Sequence, residues 1–483
     1  MNGNTINKCV SIFELIFKIC FLLYGLATLN SFFFHTKVIS VLLYAATASA
    51  GVVLIYRIIN FKYFIHEKTY IVSCLFLISY ILSFVLNIEY ANIHAIKYLV
   101  FMGMQFFLLL AVDERKDSAS LKKEILLILN VFELYMFFAA LASIVLLFMG
   151  YGNIVYRNED MIISGFVWGR LWGVFTDPNF GSVLSSISVI ISLYFCYRYS
   201  SRISILINVV NITLQLMYIS FSDSRTGKLV VMIAVALYFY LRFMDVRTKM
   251  KACLKNIVCV LLAVCVAAVC ATVLTMVNKG YNSVIYSVAE KRYNLSDDFG
   301  DDFDQDFIKN HQLGREKDIE QDFSNRRIDL WKSAIETLKL RPMFGVSFES
   351  LVDYVKDKLP DTYLVNNDHG VFNNYHNMLF NVIVGQGIVG FTLLIVMIVF
   401  SGISMIKLLL RSFGNSKEYM LNATIFTVLV STLISSMFVT EIMYAFSANM
   451  MLFWYLLGYM LYEEKKVTGE GDAKQYIKNG ETE

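Results

Sequence analysis

The chain has 483 residues, of which 57% are hydrophobic and only 17% charged, with 39 Phe and 29 Tyr. A water-soluble domain carries roughly 25% charged residues, so this composition excludes a chain surrounded by water on all sides. The net charge of +3 is too small to imply a nucleic-acid partner.

A helix needs roughly 20 apolar residues to cross the hydrocarbon core, because each backbone amide in lipid must be satisfied within its own segment. In chain order the apolar stretches lie near 12–34, 38–59, 69–87, 95–112, 123–149, 180–199, 203–222, 226–243 and 254–277, then 377–406, 419–440 and 443–462. They predict an all-α polytopic membrane protein of about 12 transmembrane helices. The first stretch, Ile12–Phe34, is longer than a signal-peptide core and lacks a small-residue cleavage site, so it reads as a retained helix. The 377–406 stretch has room for a short tilted helix followed by a spanning one.

Basic residues alternate along the connections. Even-numbered ones carry Arg57, Lys62 and Lys68, then Arg115, Lys116, Lys122 and Lys123, then Arg198 and Arg202. Further on they carry Arg242, Arg247, Lys249, Lys251 and Lys255, then Lys407, Arg411 and Lys417, and the tail adds Lys465 and Lys466. Odd connections hold fewer: Lys37, Lys97, Arg157, Arg170, Arg225 and Lys228. The positive-inside rule then puts both termini in the cytoplasm and 150–180, 222–228 and 278–375 outside. The expected organisation is a membrane domain 1–277, a large extracytoplasmic loop domain 278–375 between spans 9 and 10, a second membrane domain 376–462 and a cytoplasmic tail 463–483. None of the eight cysteines falls in 278–375, which excludes a disulfide framework there, and no zinc spacing occurs in the chain.

The chemistry-bearing residues cluster where the chain re-enters the membrane on that outer side. Trp168-Gly169-Arg170-Leu171-Trp172 leads into Asp177-Pro178-Asn179; the competing structural reading is a Gly/Pro turn with interfacial tryptophans. Arg225 stands at the start of a span, where a charge costs roughly 2.5–3.5 kcal/mol on insertion scales and needs a partner, either a carboxylate such as Asp223 or an anionic ligand. Ser324 or Asn325 is placed to cap a helix that carries Arg326, Arg327 and Trp331 and ends at Pro342. Arg327, Trp331, Ala334 and Leu338 share one face, and a helix start with two arginines suits a phosphate; arginines meeting lipid headgroups are the structural alternative. His376, followed by Asn377, titrates near neutrality and suits a base, or else simply caps a helix. Asn366, Asn367, Asp368, Asn373 and Asn374 are the amide and carboxylate types that bind sugar hydroxyls. The acidic run Asp297–Asp306 lacks the ligand spacing of a calcium loop and reads as a solvated linker. Gly385-Gln386-Gly387-Ile388-Val389-Gly390 matches GxGxxG but follows no strand, so helix packing or a kink explains it better than a dinucleotide. Glu133 and Glu441 are intramembrane carboxylates, read equally as functional or as paired within the bundle.

The order Arg170…Asp177-Pro178-Asn179, Ser224-Arg225-Thr226-Gly227, Arg327-x-x-x-Trp331…Pro342-x-x-Gly345 and His376-Asn377…Gly387-x-x-Gly390 resembles the O-antigen ligase/polymerase superfamily. The resemblance covers about residues 165–400; the Gly345-Val346-Ser347 turn departs from the family's usual Gly-x-Gly. It implies a GT-C-like, inverting glycosyltransferase that works without metal or cofactor on undecaprenyl-diphosphate-linked oligosaccharides, at the outer face of a bacterial plasma membrane. Carried over, Arg225, Arg327 and His376 match the family's catalytic arginines and histidine. Arg170, Asp177, Asn179, Arg326, Trp331 and Asn377 are then expected at the substrate, with a one-residue slip able to exchange Arg326 for Arg327. Its Wzy-type members polymerise capsule or O-antigen repeat units, and membrane lipids, a chain-length regulator and a flippase are the expected partners. A ligase passing the glycan to another lipid or protein is the nearest rival. An Ile-, Lys-, Asn- and Phe-rich composition, as in an AT-rich Gram-positive capsule producer, leans towards polymerase. A lipid-linked-sugar flippase would show two related halves and short outer loops, unlike this chain.

Overall fold

The computed structural model describes residues 3–64, 68–90, 94–157, 160–295, 311–314, 326–368 and 370–480. Among them lie fourteen α-helices and one three-stranded sheet. Nine helices come first: α1 Gly3–Thr28, α2 Lys37–Ile59, α3 Lys68–Leu86, α4 His94–Met104, α5 Ser118–Phe148, α6 Pro178–Arg198, α7 Arg202–Phe221, α8 Arg225–Asp245 and α9 Ala252–Leu295. Two short ones, α10 Arg327–Leu340 and α11 Leu351–Lys358, precede α12 Met378–Ser412, α13 Ser416–Ser435 and α14 Ala448–Gly480. The twelve helices other than α10 and α11 coincide one for one with the expected spans, and the protein is a polytopic helical membrane protein.

Ten of them, among the described residues, are long and apolar enough to cross a membrane. The other two deviate for physical reasons. α4 is short and continues through a π turn, Gln105–Leu110, as the apolar segment Ala95–Leu110. α14 is apolar only from Ala448 to Tyr462, before Glu463, Glu464 and Lys465, and within that stretch Asn449, Trp454, Tyr455 and Tyr459 are all buried. A helix enclosed by protein need not match lipid, so its polar atoms find partners instead; Trp454 Nε1 donates to Ile442 O at 3.2 Å. Gly458 allows this close packing, since a Cβ there would stand 2.4 Å from the Leu110 carbonyl oxygen. α9 runs on past the expected boundary at 277, and its 44 residues measure roughly 66 Å at 1.5 Å per residue, far beyond a bilayer core of roughly 30 Å.

Successive spans alternate in direction. One end of the bundle therefore gathers the starts of α6, α8, α12 and α14 and the ends of α5, α7 and α13. The other end holds most of the basic connections. There Lys18 bridges Glu14 at 2.7 Å and Glu124 at 2.6 Å, Arg57 reaches Glu14 at 2.8 Å and Lys116 reaches Glu124 at 2.5 Å. Glu133, within α5, accepts from Ser188, Ser192 and Asn211, which pairs it inside the bundle.

Within the segment 150–180, expected as a polar external connection, the chain forms β1 Gly152–Arg157, β2 Asp160–Val167 and β3 Arg170–Gly173, antiparallel in that order. Ile154 pairs with Ile163 and Val155 with Ile162, β-branched residues that favour the pleated surface. The register shifts at Gly165/Phe166.

The GxGxxG segment proves to be a kink. Gly387 sits at φ 65°, ψ −167° inside α12, which breaks the helical ladder. The turn after α10 takes over the freed groups: Val346 N donates to Val384 O, Ser347 N to Gly385 O, Ile388 N to Pro342 O and Val389 N to Met343 O, at 2.8–3.2 Å. A side chain at either glycine would collide with backbone, 2.3 Å from Val384 O at Gly345 and 2.3 Å from Met343 C at Gly387. α10, α11 and the following loop share a small core of their own, including Leu330, Ala334, Tyr354, Tyr375 and Val384. The acidic run Asp297–Asp306 and the proposed caps Ser324 and Asn325 lie outside the described residues.

Candidate functional site

Three segments meet at the end of the bundle that holds the α6, α8 and α12 starts. Asp177 caps α6, accepting from Asn179 N at 2.6 Å, and Pro178 takes the first helical position. Asn179 Oδ1 receives Ser224 Oγ at 2.9 Å and Arg170 Nη2 at 3.5 Å. Arg170 Nε donates to Ser222 O at 2.9 Å, so this buried guanidinium ties β3 to the turn before α8. That turn is closed by Ser224, which caps α8 through Gly227 N at 3.0 Å. Asp223, offered above as a partner for Arg225, pairs with Lys228 at 2.6 Å. Arg225 is half-buried at the first position of α8.

α10 brings the second arginine. Arg327 Nη2 donates to Phe438 O at 3.2 Å, with the guanidinium over the Phe438 ring at 5.5 Å. Trp331 holds the helix in place: its Nε1 donates to Tyr375 O at 3.2 Å and its ring stacks on Phe380 at 5.5 Å. The face expected to be amphipathic packs on α12, with Ala334 fully buried.

The third segment presents the histidine. Asn377 caps α12, accepting from Leu379 N at 2.8 Å and Phe380 N at 3.2 Å, while its Nδ2 donates to Met437 O at 3.0 Å. His376 N donates to Asn374 Oδ1 at 2.8 Å. Asp223, Arg326 and His376 all adopt positive φ, 49°, 66° and 50°. Each such non-glycine residue costs on the order of 1–3 kcal/mol, and strain of this kind concentrates at functional sites.

Two cavities open on this assembly. The smaller, about 150 Å³, is lined by Asp177, Asn179, Arg326, Arg327 and His376 among others. The larger, about 490 Å³, is lined by Glu349, Asp353, Asn373, Asn374 and Tyr444. His376 and Phe180 line both, so the imidazole stands at their junction. Burial lowers the pKa of Arg327, and the charge of Arg225 lowers it further, with Asp177 opposing. The two guanidinium groups thus feel each other across the site. His376 is held below its ordinary value by burial and by Arg327, again against Asp177. A pocket with two arginines, a neutral imidazole and one capping carboxylate suits an anion such as a diphosphate beside a hydroxyl that must lose a proton.

The predicted residues divide by position. Asp177, Asn179, Arg326, Arg327 and His376 line the smaller cavity, and Arg225 acts on it by charge. Arg170, Trp331 and Asn377, expected at the substrate, line neither cavity; Trp331 and Asn377 bond backbone carbonyls or amides, and Arg170 bonds the Ser222 carbonyl and the Asn179 side chain. Glu349, Asp353 and Tyr444 carried no motif in the sequence. Glu441, noted there only as an intramembrane carboxylate, is fully buried, accepts from Ser435 Oγ and Asn449 Nδ2, and is pushed up to about 7 by that burial.

The fold defines a multi-pass membrane protein with an arginine-lined pocket at one end of its helices. Residues 210–395 match the sequence model of the O-antigen ligase family, which supports the resemblance to the O-antigen ligase/polymerase superfamily and a function of that type. The match spans Arg225, Arg327 and His376 and begins after Arg170, Asp177 and Asn179. No curated protein matches the chain.

Proposed function

We propose that the protein is a polysaccharide polymerase. It transfers a growing glycan from its undecaprenyl diphosphate onto a hydroxyl of a new lipid-linked repeat unit, at the outer face of a bacterial plasma membrane. The carrying observation is His376 at the junction of an arginine-lined cavity and a larger polar one.

In the reaction an acceptor hydroxyl attacks the anomeric carbon and the bond from that carbon to the diphosphate oxygen breaks, inverting the centre. The proton passes to His376, which is neutral and so able to take it. Negative charge grows on the departing lipid diphosphate, where Arg225 and Arg327, with Arg326, offset it more strongly than in the ground state. A largely apolar groove of about 520 Å³ lies between the ends of α5 and α7 and residues 277–285 of α9, and its lining suits a lipid tail.

The second reading is a ligase that passes the glycan once to another lipid or a protein; the family match is compatible with either. Reconstitution of the full chain with lipid-linked repeat units separates the two. A ladder of products means polymerase, a single transfer to a distinct acceptor means ligase, and movement without bond formation removes both. His376→Ala is expected to lower the rate by about 10²–10⁴-fold and leave single lipid-linked repeats. Undiminished ladders in His376→Ala and in Arg225→Ala would sink the assignment of roles.

A further inference from the structure

We propose that Glu441 is a positioning residue for the arginine-lined pocket: it holds the connection between α13 and α14 at both ends and so sets where Arg327 and the His376 loop stand. This rests on the glycosyl-transfer reading above and names a residue that the reading does not itself use.

None of residues 436–447 lies in a helix or strand, so side chains must hold the shape of this connection. Glu441 is fully buried within it. One carboxyl oxygen accepts from Ser435 Oγ, on the last residue of α13. The other accepts from Asn449 Nδ2, in the first turn of α14, at 2.6 Å. Both partners are fully buried as well, so water does not compete for these bonds. A single carboxyl thus ties the loop to its two flanking helices.

The site hangs on the stretch between Ser435 and Glu441. Ser436 O accepts from Met378 N at 2.8 Å and Met437 O from Asn377 Nδ2 at 3.0 Å, which fixes the start of α12 next to His376. Phe438 O accepts from Arg327 Nη2 at 3.2 Å, and the Phe438 ring faces the guanidinium. Thr440 Oγ1 accepts from Asn381 Nδ2 at 2.8 Å and donates to Asn374 Oδ1 at 3.1 Å, the oxygen that also receives His376 N. Phe438 and Val439 line the smaller cavity and Thr440 the larger. Removing the carboxyl would leave Asn449 Nδ2 buried without its acceptor and let the loop shift, and a displacement of about 1 Å can cost roughly 100-fold at a reacting centre.

The role needs hydrogen bonds rather than charge. Burial raises the Glu441 pKa to about 7 against the bonds from Ser435 and Asn449, so the group is not a fixed charge near neutral pH. Ser435 Oγ also donates to Thr432 O at 2.9 Å. With its proton turned there it can accept from an amide, so a glutamine satisfies both partners.

The test reads anion binding, which does not depend on glycan transfer. Full-length protein in lipid nanodiscs is titrated with inorganic pyrophosphate by calorimetry, and affinities are compared per folded molecule. Glu441→Ala is expected to bind at least roughly fivefold more weakly than the wild type and to cost little further in an Arg327→Ala background, since residues joined in one network are non-additive. Glu441→Gln should recover most of the loss. Ser435→Ala removes one anchor and should show part of the same loss, with the same coupling to Arg327, if Glu441→Ala does not fold. Lys18→Met, at the opposite end of the bundle, should bind as the wild type does, which separates positioning from general loosening. No pyrophosphate binding by the wild type, undiminished binding in the folded alanine variants, or a glutamine variant as weak as alanine would overturn the proposal. So would a loss fully additive with Arg327→Ala or an equal loss in Lys18→Met. The expected binding pattern in a protein that transfers no glycan would count against the polymerase reading alone.

Discussion

His376 sits between opposed charges, and the balance fixes its proton. Burial disfavours the imidazolium, Arg327 disfavours it further and Asp177 acts against both, so the folded pKa lies below the ordinary 6.5. The sign follows: in the free protein the acid limb of kcat/KM is expected below 6.5, with activity lost as pH falls through the folded pKa. A bound diphosphate offsets Arg327, so the acid limb of kcat should lie at higher pH than that of kcat/KM. A pH–rate profile of the reconstituted protein checks both, and a kcat/KM limb above 6.5 contradicts a histidine held neutral. Arg327 combines a carbonyl bond, a ring contact and the pocket, a geometry that a planar guanidinium meets and an ammonium does not. Arg327→Ala is expected to lose about 10²–10³-fold in transfer rate, with Arg327→Lys restoring only part, measured by single-turnover release of lipid diphosphate. Such residues were legible in the sequence because a charge or imidazole at a membrane re-entry point requires a reason. Trp331 and Asn377 looked the same on paper, yet the bonds they make are to backbone groups, and nothing in residue type distinguishes the two uses. Glu349, Asp353 and Tyr444 escaped notice because their cavity forms only when segments remote in sequence meet.

At the scale of elements, the α12 kink and the turn after α10 are one device. Four amide-to-carbonyl bonds at 2.8–3.2 Å connect them, and two glycines permit the contact. Since α10 carries Arg327 and α12 begins beside His376, this joint sets the distance between the two groups. Gly387→Ala puts a Cβ 2.3 Å from the Met343 carbonyl at a left-handed φ, costing on the order of 1–3 kcal/mol in backbone strain before the clash is counted. The expected result is a bundle that still assembles, faster proteolysis near 340–350 and transfer activity reduced at least roughly tenfold. Normal activity with normal protease resistance would show that the joint does not position the site. The kink was readable from glycine spacing and the rejected dinucleotide motif. Its partner was not, because the Gly345-Val346-Ser347 turn gains its shape from α12 rather than from its own residues. The sheet of 152–173 went unforeseen for a related reason: short strands next to Gly-rich turns carry little periodicity, and pairing across the hairpin supplies the order.

Across the whole molecule, hydropathy located twelve of the fourteen described helices because lipid leaves a backbone no alternative, and the alternation of basic connections sorted their ends. The ends so sorted differ in how charge is held. At the basic end, Lys18, Arg57 and Lys116 share Glu14 and Glu124 in a network that ties α1, α2 and α5 together. Breaking such a buried pair strands a charge, so Lys18→Met is expected to cost about 3–5 kcal/mol, read as a lower melting temperature in detergent, with the per-molecule transfer rate of folded protein unchanged. The orientation of these ends in the membrane is the remaining consequence of the charge pattern, and it decides whether lipid-linked substrates can reach His376 from outside. Cys253 is exposed at the basic end, where α9 begins, and Tyr156 is exposed on β1 at the site end. An impermeant maleimide applied to intact cells should therefore label Tyr156→Cys in a variant whose native cysteines are otherwise replaced, and should reach Cys253 in the native chain only after the membrane is opened. The reverse pattern would place the arginine pocket in the cytoplasm, where a lipid diphosphate presented at the outer leaflet has no access to it.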